Sequence, residues 1–254
     1  MTDDDSVLLT VEDGVASITL NQPARGNALD LPLVRGLHHA VRDAAADDRA
    51  RVVLLSGNGR LFCGGGDLRE MQAAPDRGAF VHQLASAAHD AVRALAALEK
   101  PVVAAVQGSA AGAGLSLVLL CDLVLATPRT TFVTGYTAVG LTPDCGLSWL
   151  LPRAVGLSRA LDLTLTSRKV TADEALAMGL VTRVVEEEEL LADARGLCAG
   201  LARGPAHALG QARALLRSGY AAGFDEQLDR EAETIARMAA TEATGALIAG
   251  FLAR

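Results

Sequence analysis

Two short apolar runs, "RVVLLSG" (51–57) and "PVVAAVQG" (101–108), each break into glycine and lead on to a helical pattern. Runs this short, dense in β-branched residues and closed by glycine, read as strands buried on both faces. A chain that alternates such strands with helices is confined to α/β architectures, because a buried strand needs a helix on each side of its sheet. The rest of the pattern agrees. "SVLLTVEDGVASITLNQP" alternates apolar and polar residues about a Glu-Asp-Gly turn and predicts an opening hairpin that stops at Pro23. Leu29, Leu33, Leu37, Ala40, Val41 and Ala44 recur at helical spacing. "NGRLFCGGGDL" is a loop, followed by helix to about residue 98 with a break near Pro75. The 112–120 segment predicts another helix and "CDLVLAT" (121–127) another strand. Beyond residue 140 the pattern is mostly helical, with two helices and a short strand expected over 156–185, before the acidic run Glu186 to Glu189. We place a core over residues 1–189 and an alanine-rich helical oligomerisation region over 190–254, whose apolar stripes need cover from the core or another subunit.

Composition excludes several classes. No apolar run reaches the roughly 18 to 20 residues of a membrane span, although half of the 254 residues are apolar. The acidic start "MTDDDSVLL" is the opposite of a secretory or mitochondrial leader, so a cytoplasmic location is the expectation. A net charge of −7 with 3% aromatic residues supplies neither the basic patch nor the stacking platforms of a nucleic-acid binder. Cys63, Cys121, Cys145 and Cys198 are far apart and make no Cys-x-x-Cys pair, so reduced thiols and no metal centre are expected.

The chemistry must come from the glycine loops "FCGGGDL" (62–68) and "GSAAGAG" (108–114). Each joins a buried strand to a helix, where unpaired N–H groups and the positive end of the helix dipole are presented. Neither has the lysine and hydroxyl of a phosphate loop, and "GAGLSL" lacks the third glycine of a dinucleotide fingerprint. Ser109 and Ser116 do not lie in Gly-x-Ser-x-Gly, so neither is a nucleophile elbow. What remains is one N–H from each loop, able together to grip one carbonyl oxygen.

Five segments in order, "LNQPARGNALD" (20–30), "RVVLLSGNGRLFCGGGDL" (51–68), "KPVVAAVQGSAAGAGLSLVLLCDLVLAT" (100–127), "VGLTPDCGLSWLLPRAVGLSRALDL" (139–163) and "ADEALAMGLVTRVV" (172–185), resemble the enoyl-CoA hydratase/isomerase (crotonase) superfamily along nearly the whole chain. The resemblance implies a spiral of ββα turns with a helical C-terminal trimerisation region, assembled as a trimer or dimer of trimers. It implies an acyl-CoA substrate, with coenzyme A entering as the thioester and no separate cofactor. Matched motif by motif, the oxyanion donors would be the N–H groups of Gly66 and Ala113. Gly64, Gly65, Asp67 and Leu68 would flank the pantetheine, and Ala24, Arg25 and Ala28 would meet the nucleotide end, Arg25 as a phosphate partner.

The hydratases of that family place water with two glutamates, and the matching positions here are Ser116 and Tyr136. Neither a hydroxyl nor a phenol is a good base near neutrality. The replacement is Asp144 in "GLTPDCG", within a segment resembling the phenylacetate-pathway isomerases and, less closely, the chlorobenzoyl-CoA dehalogenases. One carboxylate suffices to carry a proton between the α and γ carbons, and Asp144 enclosed by Leu141, Trp149 and Tyr136 is assigned that role; its competing reading is a helix N-cap. Tyr136 either bonds Asp144 or shapes the pocket, and Phe80, Leu115, Tyr136 and Trp149 are expected along the acyl tunnel. A dehalogenase would need His89, which the pattern places on an ordinary amphipathic helix. The alternatives are hydration or hydrolysis through Asp144, aryl-CoA dehalogenation, and a silent acyl-CoA-binding protein.

Overall fold

The computed structural model describes residues 6–253. The chain opens with β1 (Val7–Glu12) and β2 (Val15–Leu20), an antiparallel hairpin in which Glu12 pairs with Val15. Its two-residue turn is Asp13-Gly14, both with φ positive, as the hairpin turns that match strand twist require. α1 (Leu31–Ala46) follows, started by the Asp30 side chain accepting from the Leu33 N–H. β3 (Val52–Gly57), α2 (Leu68–Ala73), α3 (Arg77–Ala97) and β4 (Val102–Val106) come next, with Asp67 and Asp76 capping the two helices. The break between α2 and α3 falls at Pro75, as expected.

From β4 the chain runs into β5 (Ser109–Ala111), α4 (Ala113–Leu120), β6 (Leu123–Ala126) and β7 (Thr131–Val133). α5 (Leu147–Val155), α6 (Leu157–Thr166), β8 (Val170–Thr171), α7 (Ala172–Ala177) and β9 (Arg183–Val184) complete the body. The main sheet has the order β1-β2-β3-β4-β6-β9, parallel from β2 onward; the small sheet has the order β5-β7-β8. Cys63 bridges to Ala110 and so extends the small sheet. Successive turns of chain thus give a strand to the main sheet, a short stretch to the small one and then a helix, which is the expected ββα spiral. The two- and three-residue strands of the small sheet were not expected from sequence, since they are too short to show a period.

Side chains alternate across the main sheet. Val53, Leu55, Val102 and Ala104 face the core shared with α1, α3 and α4, whereas Val52, Leu54, Val103 and Ala105 face the opposite way. That second face is covered by α8 (Leu190–Arg203), through Leu190, Ala194, Cys198 and Ala202. α8 begins the expected helical tail, directly after the exposed Glu186 to Glu189 run. The tail continues as α9 (Ala206–Ser218), α10 (Phe224–Ala239) and α11 (Glu242–Leu252). α9 is tied down where Arg213 and Arg217 both pair with Asp122 and Arg213 donates to the carbonyls of Leu95 and Ala96 at the end of α3. α10 and α11 leave Ile235, Leu247, Ile248, Phe251 and Leu252 exposed. No single helix among the described residues is long and apolar enough to cross a membrane.

Candidate active site

The two glycine loops lie side by side. Phe62 N–H donates to the Gln107 carbonyl, Cys63 N–H to Ser109 and Ala111 N–H back to Cys63, at 3.0 to 3.2 Å. Closeness of the strands explains the glycines. A methyl on Gly65, whose φ is +91°, would stand 2.9 Å from the Ala111 carbonyl oxygen, and one on Gly114 would stand 2.5 Å from the Cys63 carbonyl oxygen. On the other side the first loop pairs with the end of the hairpin segment: Leu29 N–H donates to the Gly65 carbonyl and Asp67 N–H to the Leu29 carbonyl. These two bonds straddle Gly66 and leave its own N–H unspent.

The second donor arises differently. Gly112 is the N-cap of α4, has φ +53° and supplies no side chain, so the Ala113 N–H begins the helix without an intrahelical acceptor. Gly64, Gly65, Gly66, Ala111, Gly112 and Ala113 together form one wall of a cavity of about 240 Å³. Leu68, Met71, Val81, Leu84, Ala85, Ala88 and Val139 make the apolar remainder. The α3 contribution shows in sequence only as a helical stripe, Val81, Leu84, Ala85 and Ala88, and a stripe facing a cavity looks the same as one facing a core.

Tyr136, Leu141, Thr142, Asp144 and Cys145 close the cavity. The Tyr136 phenol donates to Asp144 Oδ1 at 2.6 Å. Burial first, and then the neighbouring Asp144 charge, push the phenol well above the ordinary tyrosine range. It is therefore a fixed donor. α5 starts three residues after Asp144, with Gly146 as its N-cap and no capping side chain, and Asp144 meets the helix only through its carbonyl, which accepts from Leu147 N–H at 2.9 Å. The carboxylate is free of capping because Cys145 and Gly146 both adopt positive φ, +50° and +81°, and turn the chain between them.

Several expected positions are corrected. Trp149 is not beside Asp144: it is half exposed on the outer face of α5, under the Arg153 guanidinium at 3.2 Å. Phe80 lines a separate surface recess with Ala79 and Gln83, and Leu115 is buried in the core without reaching the cavity. Ser116 is fully buried, its hydroxyl 3.5 Å from the Asp144 carbonyl. Of the positions assigned to coenzyme A, Gly64, Gly65 and Leu68 line the cavity. Ala24 and Ala28, expected at the nucleotide end, lie outside this cavity, Asp67 caps α2, and Arg25 is bound to Asp30, Asp67 and Glu70.

His89 is closer to the chemistry than its helix pattern suggests. Its Nε2 accepts the Cys145 N–H at 3.2 Å, and its ring nitrogen, the Asp144 carboxylate and the Cys145 thiol lie within 4.8 Å of one another. The donor types would suit a soft divalent ion. Yet the imidazole lone pair is taken, and burial followed by the Asp144 charge keeps the Cys145 thiol protonated well above its ordinary range. As it stands the cluster is a hydrogen-bonded wall.

Unspent amides from two loops, an apolar cavity and one carboxylate describe a class of site that receives an uncharged acyl group and polarises its carbonyl. Comparison with known proteins narrows the class: the chain belongs to the enoyl-CoA hydratase/isomerase family, whose model matches residues 10–252. It is 39% identical over 230 residues to 1,2-epoxyphenylacetyl-CoA isomerase of Escherichia coli K12, covering 89% of this chain and 87% of that protein. It is 32% identical to 4-chlorobenzoyl coenzyme A dehalogenase-2 of an Arthrobacter species, covering 88% and 82%. A crystal structure of enoyl-CoA hydratase from Mycobacterium smegmatis superposes with a TM-score of 0.91 at 31% identity, covering 97% of this chain and 96% of that one. The family acts on acyl-CoA thioesters, and the fold is the crotonase fold.

Proposed function

We propose that this chain is an acyl-CoA isomerase that moves a double bond by proton transfer through an enolate. The thioester oxygen lies between the Gly66 and Ala113 N–H groups, and Asp144 takes a proton from one carbon and returns it two carbons away. The observation that carries this reading is the 2.6 Å bond from Tyr136 to Asp144. It leaves one carboxylate held at the cavity wall and not used as a helix cap, in a site with no second carboxylate among its lining residues. Hydration needs an activated water as well as a proton donor, whereas allylic isomerisation needs only one base that also serves as acid. Coenzyme A enters as the substrate thioester. The likeness to 1,2-epoxyphenylacetyl-CoA isomerase supports an isomerase acting on a CoA thioester. Dehalogenation is disfavoured by the engaged Nε2 of His89, which has no free lone pair there to activate water.

Conversion of β,γ-unsaturated acyl-CoA esters in deuterated water, for the wild type and Asp144→Asn, tests the proposal. Double-bond migration with label uptake, lost in the variant, supports it; tight binding with neither event in the wild type assigns a silent binding protein. The apolar faces left open on α10 and α11 support assembly into a trimer or dimer of trimers, which light scattering measures directly.

A further inference from the structure

Arg25 sits on a 3-10 turn (Pro23–Arg25) just after the opening hairpin. It was expected to contact phosphate, but its donors are directed inward. Nη1 donates to Asp30 Oδ2 at 2.8 Å, Nε and Nη2 donate to Asp67 Oδ2 at 3.2 and 2.5 Å, and Nη2 also meets Glu70 Oε1 at 2.8 Å. The two buried carboxylates are both helix caps. Asp30 Oδ1 accepts from Leu33 N–H at the start of α1, and Asp67 Oδ1 accepts from Arg69 and Glu70 N–H at the start of α2. Each aspartate gives one oxygen to its helix and the other to the same guanidinium, and Gln22 Nε2 also donates to both oxygens of Asp30 at 3.1 Å. A planar fork holds two carboxylates in a fixed mutual geometry, whereas an ammonium on a flexible stem is a point charge that imposes no such geometry.

Gly66 is the residue immediately before Asp67, and its neighbours are paired to Leu29, immediately before Asp30. The backbone bonds and the Arg25 fork together fix the same pair of segments. We propose that Arg25 is a positioning residue that aims the Gly66 amide at the thioester oxygen, rather than a ligand for the phosphates of coenzyme A. This rests on reading the Gly66 and Ala113 N–H groups as the oxygen donors. Four of the five guanidinium N–H donors already meet these three carboxylates, so only a single Nη1 N–H is left for a phosphate. Hydrogen bonding to Glu70, opposed in part by burial and reinforced by Asp67, holds the Arg25 guanidinium protonated beyond its ordinary range.

The test reads carbonyl polarisation without turnover. The infrared band of a ¹³C-labelled thioester carbonyl is recorded for benzoyl-CoA and for benzoyl-pantetheine bound to the wild type, Arg25→Gln, Arg25→Lys and Asp67→Asn, each first shown by circular dichroism to be folded. The expected result is a band shifted to lower frequency in the wild type. All three variants lose at least half of that shift with both ligands, and any loss of affinity is equal for the two. In turnover, kcat falls roughly tenfold or more, bounded by the 10²–10³-fold cost of losing one oxyanion donor outright. A full shift in the variants, with affinity weakened only for the CoA ester, makes Arg25 a phosphate ligand and overturns the proposal. A full shift with unchanged affinity overturns it too, as does wild-type behaviour of Arg25→Lys. No shift in the wild type strikes instead at the reading of Gly66 and Ala113 as donors.

Discussion

The Tyr136 phenol donates to Asp144 Oδ1 at 2.6 Å, and Tyr136 stands where the hydratases of the family are expected to carry their second glutamate. The pair replaces two carboxylates by one carboxylate and one permanent donor. Asp144→Asn is expected to lower isomerisation about 10²–10⁴-fold, the usual worth of a positioned general base. The melting temperature should stay within a few degrees of wild type, because the Asp144 side chain caps no helix. Steady-state kinetics beside thermal unfolding check both.

Gly65 and Gly66 should respond unequally to alanine. A methyl on Gly66 meets only the flexible end of Met71, at 2.6 Å, which can move. A methyl on Gly65 meets the Ala111 carbonyl oxygen at 2.9 Å, with the backbone at φ +91°, and forces the two loops apart. Gly65→Ala should therefore cost about 10²-fold in kcat, comparable to misplacing one donor. Gly66→Ala should cost less, even though Gly66 carries the donor. Equal effects would show that loop spacing does not set donor geometry.

Dehalogenation and isomerisation make opposite demands on His89. With Nε2 spent on the Cys145 N–H, replacing His89 by Gln should lower isomerisation by less than about tenfold, as expected for loss of a single neutral hydrogen bond near 1 kcal/mol. Chloride release from 4-chlorobenzoyl-CoA should be absent in both proteins. Chloride release by the wild type that His89→Gln abolishes would reassign the reaction.

Stability should decline in alkali. Burial pushes the Cys63 and Cys198 thiols up to about 12 from an ordinary value of 9.0, and raises Cys121, Cys145 and Tyr136 as well. These groups stay protonated in the folded chain and ionise on unfolding. Their contribution is full below about pH 9 and is lost as the pH rises toward 12, at up to about 1.4 kcal/mol per pH unit for each group. Urea titrations between pH 7 and 10.5 test the slope. Thiol alkylation at pH 8 should be slow until the chain unfolds.

The hairpin, both buried strands of the main sheet and the two glycine loops could be read from sequence, because strand period, Asp-Gly turns and glycine-terminated apolar runs are local signals. Other features depend on the third dimension. Whether Asp144 caps α5 turns on a shift of two residues in where the helix starts, and the positive φ of Cys145 decides it. Trp149 lies five residues from Asp144 in sequence, yet the phase of α5 turns it outward, half exposed beneath Arg153. The Arg25 partner Asp67 lies 42 residues away, so its inward orientation has no local signature. His89 shares a helix with an apolar stripe, and only packing of α3 against the Asp144 turn reveals that it reaches Cys145.

The most direct test of Asp144 as the single proton carrier is mass spectrometry of a β,γ-unsaturated acyl-CoA incubated in deuterated water with wild type and with Asp144→Asn. One-base isomerisation predicts migration of the double bond in the wild type, with deuterium taken up to the extent that the Asp144 proton exchanges with solvent before its return, and neither in the variant although it still binds the ester. Migration and uptake persisting at the wild-type rate in Asp144→Asn would contradict it and move the base elsewhere in the cavity.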